Sequence, residues 1–154
     1  MMLDGDAVAF LEKNHSAAMT TVRRDGSPHT VRVGVALVDG KVWSSGTRSR
    51  LRTRHLRRDP RASLMVFDAQ WAYLGIEARV RIIEGAEVPA LSWRLFEAMQ
   101  RAMQPAPPAG MLQWYGRPVG REEFERLMVE EGRLIYEFEP LRVYGLYRMP
   151  ASRA

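Results

Sequence analysis

Pro28-His29-Thr30-Val31-Arg32-Val33-Gly34-Val35-Ala36-Leu37-Val38-Asp39-Gly40-Lys41-Val42-Trp43-Ser44-Ser45-Gly46 is the stretch whose reading decides the fold. His29, Val31, Val33, Val35 and Leu37 fall on one face, and Thr30, Arg32, Gly34 and Ala36 on the other, which is the period of a strand. Asp39-Gly40 is a dipeptide that accepts positive φ, as a tight hairpin demands. Lys41 to Gly46 then returns as the next strand. Upstream, Ala17-Ala18-Met19-Thr20-Thr21-Val22-Arg23 leads into Arg24-Asp25-Gly26-Ser27, a second hairpin signal with glycine at hand. Three meandering strands are expected. In front of them Asp4 or Asp6 can cap a short helix with Ala7, Phe10 and Leu11 on one face.

Downstream, Thr47 reads as the N-cap of a helix that Asp59-Pro60 ends, because proline disfavours continuation. Ser63-Leu64-Met65-Val66-Phe67 is apolar on both faces, as in a central strand. Residues 73–84 alternate, with Leu74, Ile76, Ala78, Val80 and Ile82 inward and Glu77, Arg79 and Arg81 outward. Two helices follow, at roughly 91–104 and 121–131, separated by Pro105-Ala106-Pro107-Pro108-Ala109-Gly110, a linker or lid. Leu134, Tyr136 and Phe138, then Val143 to Tyr147, give two closing strands around Pro140. Strands joined by hairpins, with no helix alternating between them over the first 90 residues, argue against a parallel doubly wound sheet. The expectation is a mainly β chain with peripheral helices: a six- to seven-stranded antiparallel split β-barrel forming a single domain over residues 1–154.

Composition narrows the function classes. The 154 residues are 46% hydrophobic and 27% charged, a globular balance. Without cysteine there are no disulfides, thiolate metal sites or cysteine nucleophiles. The longest aliphatic runs, such as 33–38, are too short to span a bilayer, and no basic segment leads into an apolar one at the N-terminus, so a cytoplasmic location is expected. The formal charge is +5, and of 23 basic residues only Lys13 and Lys41 are lysines. Seven arginines (48, 50, 52, 54, 57, 58 and 61) against Asp59 give residues 48–61 a net charge of 7 − 1 = +6, which leaves the rest at 5 − 6 = −1. The basicity is one local spot.

That spot has three readings. It can be a solvated helix face whose arginines pair with acids elsewhere. It can bind nucleic acid, although a compact spot on a slightly acidic chain lacks the extended stripe such binding uses. Or it can hold a phosphorylated or polyanionic cofactor, because Ser44-Ser45-Gly46-Thr47 runs from a strand end into a helix start, where free N–H groups and arginines favour anions. His29 is the best-placed titratable group for delivering a proton, or else a hydrogen-bonded edge-strand histidine. His15 and His55 lie too far from it in sequence to suggest a metal site. No catalytic dyad is expected.

Leu56 and Asp59-Pro60-Arg61-Ala62-Ser63-Leu64, preceded by Arg50 and Arg52, resemble the phosphate-binding region of the pyridoxamine 5′-phosphate oxidase-like split-barrel flavoproteins. More specifically they resemble the actinobacterial branch that uses the deazaflavin coenzyme F420. Met19-Thr20-Thr21-Val22-Arg23-Arg24-Asp25-Gly26-Ser27-Pro28-His29 is similar to that family's opening, and Arg142-Val143-Tyr144-Gly145-Leu146 to its last strand. The resemblance implies that Arg50, Arg52 and His55 contact the coenzyme's phosphate or nearby tail. The family often carries lysine where this chain has Arg52, and arginine replaces a point charge with a fork. It also implies a deazaflavin ring near Val33, Gly34, Ser44 and Ser45, and a homodimer in which Trp71 and Tyr73 reach the cofactor from the partner chain. Core packing is the alternative for the two aromatics, as a plain bulge is for Gly34. Residues 105–110 with Trp114 and Tyr115 either roof the substrate pocket or only connect.

The implied activity is hydride transfer from reduced F420 to an unsaturated small organic substrate. FMN-dependent oxidation or reduction on the same fold is the alternative, followed by a barrel that only carries the cofactor. Pyridoxamine phosphate oxidation itself is not expected, since the chain ends soon after Tyr147 without the Arg- and His-containing signature of that enzyme.

Overall fold

The computed structural model describes residues 1–148. In chain order the elements are α1 (Gly5–Lys13), β1 (Ser16–Val22), β2 (Pro28–Gly34), β3 (Ala36–Val38), β4 (Lys41–Thr47), α2 (Leu51–Arg58), β5 (Arg61–Phe67), β6 (Tyr73–Ile83), α3 (Val88–Gln100), β7 (Met111–Trp114), β8 (Arg117–Gly120), α4 (Arg121–Glu130) and β9 (Arg133–Leu146). Seven strands form one antiparallel sheet in the order β2-β1-β5-β6-β9-β4-β3, while β7 and β8 pair separately. The two edge strands are the two halves of one stretch of chain, separated only by Val35. The sheet must therefore curl until its edges meet, which makes it a split barrel.

Local chemistry explains the turns. Asp39 and Gly40 have φ of 51° and 74°, the two positive values of a type I′ hairpin between β3 and β4. Between β1 and β2, Asp25 Oδ1 accepts from the Ser27 amide at 2.9 Å and its hydroxyl at 2.6 Å. Asp4 is the cap of α1, accepting from the Ala7 amide at 2.8 Å. It also accepts from Tyr147 Oη at 3.0 Å, tying the first helix to the end of the described chain.

At the junction, Val35 turns its backbone out of the sheet: its N–H donates to His15 O at 2.8 Å, and its carbonyl meets His15 Nδ1 at 3.0 Å. Ser44 Oγ donates to Gly34 O at 2.6 Å, joining β4 to the end of β2. Val33 and Val35 enter the barrel core with Met19, Leu64, Ile76 and Phe138, as the alternation predicts. Ala36 and Val38 pack instead under α3, with Trp43, Leu95 and Ile135. Trp93, Leu112, Val119, Phe124 and Met128 make a third cluster between α3, α4 and the β7–β8 hairpin.

Four expectations need correction. Thr47 ends β4, and the N-cap of α2 is Arg50, which makes no side-chain cap bond. The last two strands are one strand, β9, which absorbs Leu141 through a register shift opposite Glu77 and Ala78 instead of breaking at Pro140. The segment before α4 contains the β7–β8 hairpin, whose short strands carry too weak an alternation to announce themselves. The strand at Ser63–Phe67 is internal to the sheet but covered on one face only, since Met65 is 43% exposed.

α2 turns Thr53, His55 and Leu56 toward the barrel. Thr53 Oγ1 donates to Thr47 O at 2.7 Å; its single proton is thereby used, so the 2.5 Å contact with Tyr136 Oη is donated by the tyrosine. His55 is 5% exposed, with Nδ1 2.9 Å from Thr21 Oγ1, and its ring meets that of His29 edge-on at 5.2 Å. The two histidines, distant in sequence, are thus neighbours, while His15 is occupied at Val35. His29 Nδ1 is buried with no partner. Burial pushes the His55 pKa below its ordinary 6.5, helped by His29, Arg58 and Arg23.

Two predictions test this core. A Cβ on Gly46 would overlap the Tyr136 ring, which is fully buried and tethered to Thr53. Gly46→Ala should therefore cost about 1–3 kcal/mol in chemical denaturation. Because the folded state holds His55 neutral and the unfolded chain protonates near 6.5, its contribution is complete above that pH and is lost as pH falls toward the depressed folded value. Melting temperature should decline below pH 6.5, before carboxylates titrate, and His55→Gln should flatten that decline.

Candidate functional site

The seven arginines divide by their partners. Arg57 pairs with Glu84 at 2.8 Å and Arg61 with Asp59 at 2.7 Å, while Arg58 donates to Val22 O. Asp59 is drawn down to about 2, chiefly by its hydrogen bonds from Arg61. Among the described residues no carboxylate pairs with Arg48, Arg50, Arg52 or Arg54. The solvated-helix reading thus holds for the end of the segment and fails at its beginning.

Arg52 is the member of this group drawn inward. Its Nη2 lies 3.5 Å from Ser45 O and its guanidinium 5.7 Å from the Tyr136 ring centroid, while Nε is buried and unpartnered. Desolvation pushes its pKa down, and the like charges of Arg50 and Arg133 add to that. A half-buried cation with a free N–H and cationic neighbours is a site that an anion would relieve.

Arg52 opens on a cleft of about 290 Å³. Val33, Gly34 and Ser45 bring the ends of β2 and β4 to it, and Arg32 adds a second cation. The facing wall is Phe96 and Met99 of α3 with Trp114 and Tyr115 of the hairpin. Tyr115 has φ of 48°, the left-handed region, in a turn with Gly116. A bulky side chain is costly there and is characteristic of functional sites. Its phenol oxygen accepts from Arg133 Nη2 at 3.1 Å. Arg133, 9% exposed, completes the floor: it pairs with Glu131 at 2.7 Å and lies 5.0 Å from the Trp114 ring centroid.

Of the residues singled out in the sequence, Val33, Gly34, Ser45 and Arg52 meet at this cleft. Ser44 lies behind it, its hydroxyl committed to Gly34 O, and Arg50 is exposed at the start of α2. His55 is not brought to the cleft: the helical period turns it to Thr21 and His29, away from Arg52. Trp71, 89% exposed, lies in the β5–β6 turn, and Tyr73 opens β6 on the outer face of the sheet, so neither lines the cleft within this chain. Trp114 and Tyr115 do line it, whereas residues 105–110 do not. Arg133 and Arg32 were not legible as site residues. Arg133 arrives through the pairing of Thr47 with Arg133, across 86 positions, and Arg32 reads as an ordinary solvent-facing strand residue.

A second feature adjoins the cleft. In the sheet register Gly34, Ser16, Phe67, Tyr73 and Leu146 form one outward row; Arg32, Ala18, Met65, Gly75 and Tyr144 form the next. Leu146 is 68% exposed, and Tyr144 lies across Gly75, where a Cβ would collide with its ring. This apolar face reaches the cleft where Arg32 stands 6.0 Å from the Phe67 centroid.

Comparison with known proteins agrees with this architecture. A conserved hypothetical protein of Mycobacterium tuberculosis superposes over 100% of this chain and 96% of its own, with a TM-score of 0.71 at 18% identity. A protein described as an F420 reductase superposes over 88% of this chain and 94% of its own, with a TM-score of 0.61 at 19% identity. At those identities the likeness is one of fold. A curated F420H(2)-dependent biliverdin reductase of Mycobacterium tuberculosis is 56% identical over 32 residues, 21% of this chain and 23% of the reductase. The family profile described as pyridoxamine 5′-phosphate oxidase matches residues 3–145, nearly the whole described barrel, and the chain belongs to that family.

Proposed function

We propose that this chain is an oxidoreductase that binds coenzyme F420 and reduces an unsaturated small organic molecule. The observation that carries the reading is the free, half-buried Arg52 guanidinium beside three arginines without carboxylates. FMN presents one phosphate. F420 presents a phosphodiester and a tail of glutamates, and Arg48, Arg50 and Arg54 extend the positive surface that such a tail would follow. The short match to a reductase named for F420 supports the same choice. Bound here, the coenzyme would supply the hydride. The protein's part is to hold the anionic end on Arg52 and Arg50, to present Gly34 and Ser45 to the ring, and to exclude water with Phe96, Trp114 and Tyr115.

The apolar face of β5, β6 and β9 supports a homodimer. A second copy there would cover Met65, Tyr144 and Leu146 and carry its own Trp71 and Tyr73 toward the cleft.

Titration of the purified chain with F420, followed by its fluorescence, should saturate in the micromolar range, with FMN binding more weakly. A flavin spectrum as purified, or no F420 binding at about 50 μM (roughly −6 kcal/mol), defeats the proposal. Arg52→Met keeps the aliphatic stem and removes a poorly compensated charge. It should weaken F420 binding roughly 10- to 100-fold while melting no lower than wild type. Sedimentation should give a dimer, and Met65→Glu a monomer.

A further inference from the structure

Arg32 is the cation of the cleft that the cofactor reading leaves unused. Ten residues line this cleft; three are arginines and none is acidic. Arg133 is neutralised by Glu131, and Arg52, with Arg50, takes the coenzyme's phosphate on the reading above, on which this inference rests. Arg32 pairs with no carboxylate among the described residues. Its polar contact is Ser16 Oγ at 3.3 Å, and its guanidinium otherwise leans toward Phe67. A bound coenzyme phosphate would thus leave one uncompensated positive charge at the cleft.

The surroundings restrict what could supply the missing anion. Across from Arg32, the edge-on pairs of Phe96 with Trp114, at 4.9 Å, and of Trp114 with Tyr115, at 5.1 Å, build an aromatic wall. Gly34 keeps the space between floor and wall narrow and smooth, since a Cβ there would press on Met99 Sδ at 2.8 Å. A narrow cleft with a π-lined side admits a flat ring system. A single arginine fork matches a carboxylate, whereas a phosphate site gathers several donors, as the Arg50–Arg52 end does.

The geometry points to an acceptor that is flat, conjugated and bears a carboxylate, with Arg32 as the residue that takes the carboxylate and sets specificity. The hydride goes to the conjugated carbon framework, a proton completes the reduction, and the carboxylate is unchanged.

Calorimetric titration with naphthalene-2-carboxylate and its methyl ester tests this, without coenzyme and again with F420 saturating. The acid should bind roughly 10- to 100-fold more tightly than the ester. Arg32→Gln should erase that preference and Arg32→Lys should retain part of it. Both variants should keep the wild-type melting temperature and F420 affinity. Equal binding of acid and ester, no binding of either, or an undiminished preference in Arg32→Gln overturns the inference. So does loss of F420 binding in Arg32→Gln, which would give Arg32 to the coenzyme. Failure of the wild-type chain to bind F420 would instead defeat the cofactor reading, and the acid–ester comparison, made without coenzyme, separates the two failures.

Discussion

The rest of the structure depends on the way residue 35 is held. One stretch of chain supplies both edges of a seven-stranded sheet, and the change of partner happens across Val35 alone. His15 takes both polar groups of that peptide, so neither is left unpaired where the ladder is interrupted. The Val35 side chain is fully buried, and so is its neighbour Ala36, which shows the alternation of the strand slipping from one core to another. Gly34, Ser44 and Ser45 are then brought together at the split, and the cleft forms there because no strand can continue across it.

The electrostatics follow from the same placement. Acids of the nearby chain reach the end of the arginine segment, where Asp59 and Glu84 hold Arg61 and Arg57. None reaches its beginning, where the backbone leaves β4 and enters α2. Thr53 and Tyr136 lock that entry from inside, and the interlocked hydroxyls leave Arg52 facing outward with donors to spare. The protein keeps a destabilised cation where a ligand would stand, which is the usual signature of a binding site.

Much of this was legible from residues alone. The period-two pattern of 28–37, the Asp39-Gly40 turn and the stop at Asp59-Pro60 are local signals, and they correctly gave the strands, the hairpin and the end of α2. The crowding of arginines behind Ser44-Ser45 marked the cleft for the same reason. Pairing across long separations left no such trace. Nothing near Arg133 shows that it will face Ser45, and nothing near His55 shows that it will meet His29. Thr47 looked like a cap because threonine is a good one; its hydroxyl lies near Ser49 and its carbonyl receives Thr53 instead. Leu141 and Pro140 looked like a break because a register shift cannot be read from one strand without its neighbour.

The position of β9 has a consequence for assembly. It is the last strand of the sheet in sequence, yet it lies between β6 and β4, near the middle of the order. Until Arg133–Leu146 is in place, two strand edges that will be internal have no ladder partner, and the curl that brings β2 to β3 has nothing to bridge it. Pairings such as Val42 with Phe138 link distant parts of the chain, so the loop-closure cost comes before the contacts that offset it. Barrel closure is therefore a late, concerted event on the folding route. The cleft, whose floor includes the first residue of that strand, comes into being with it.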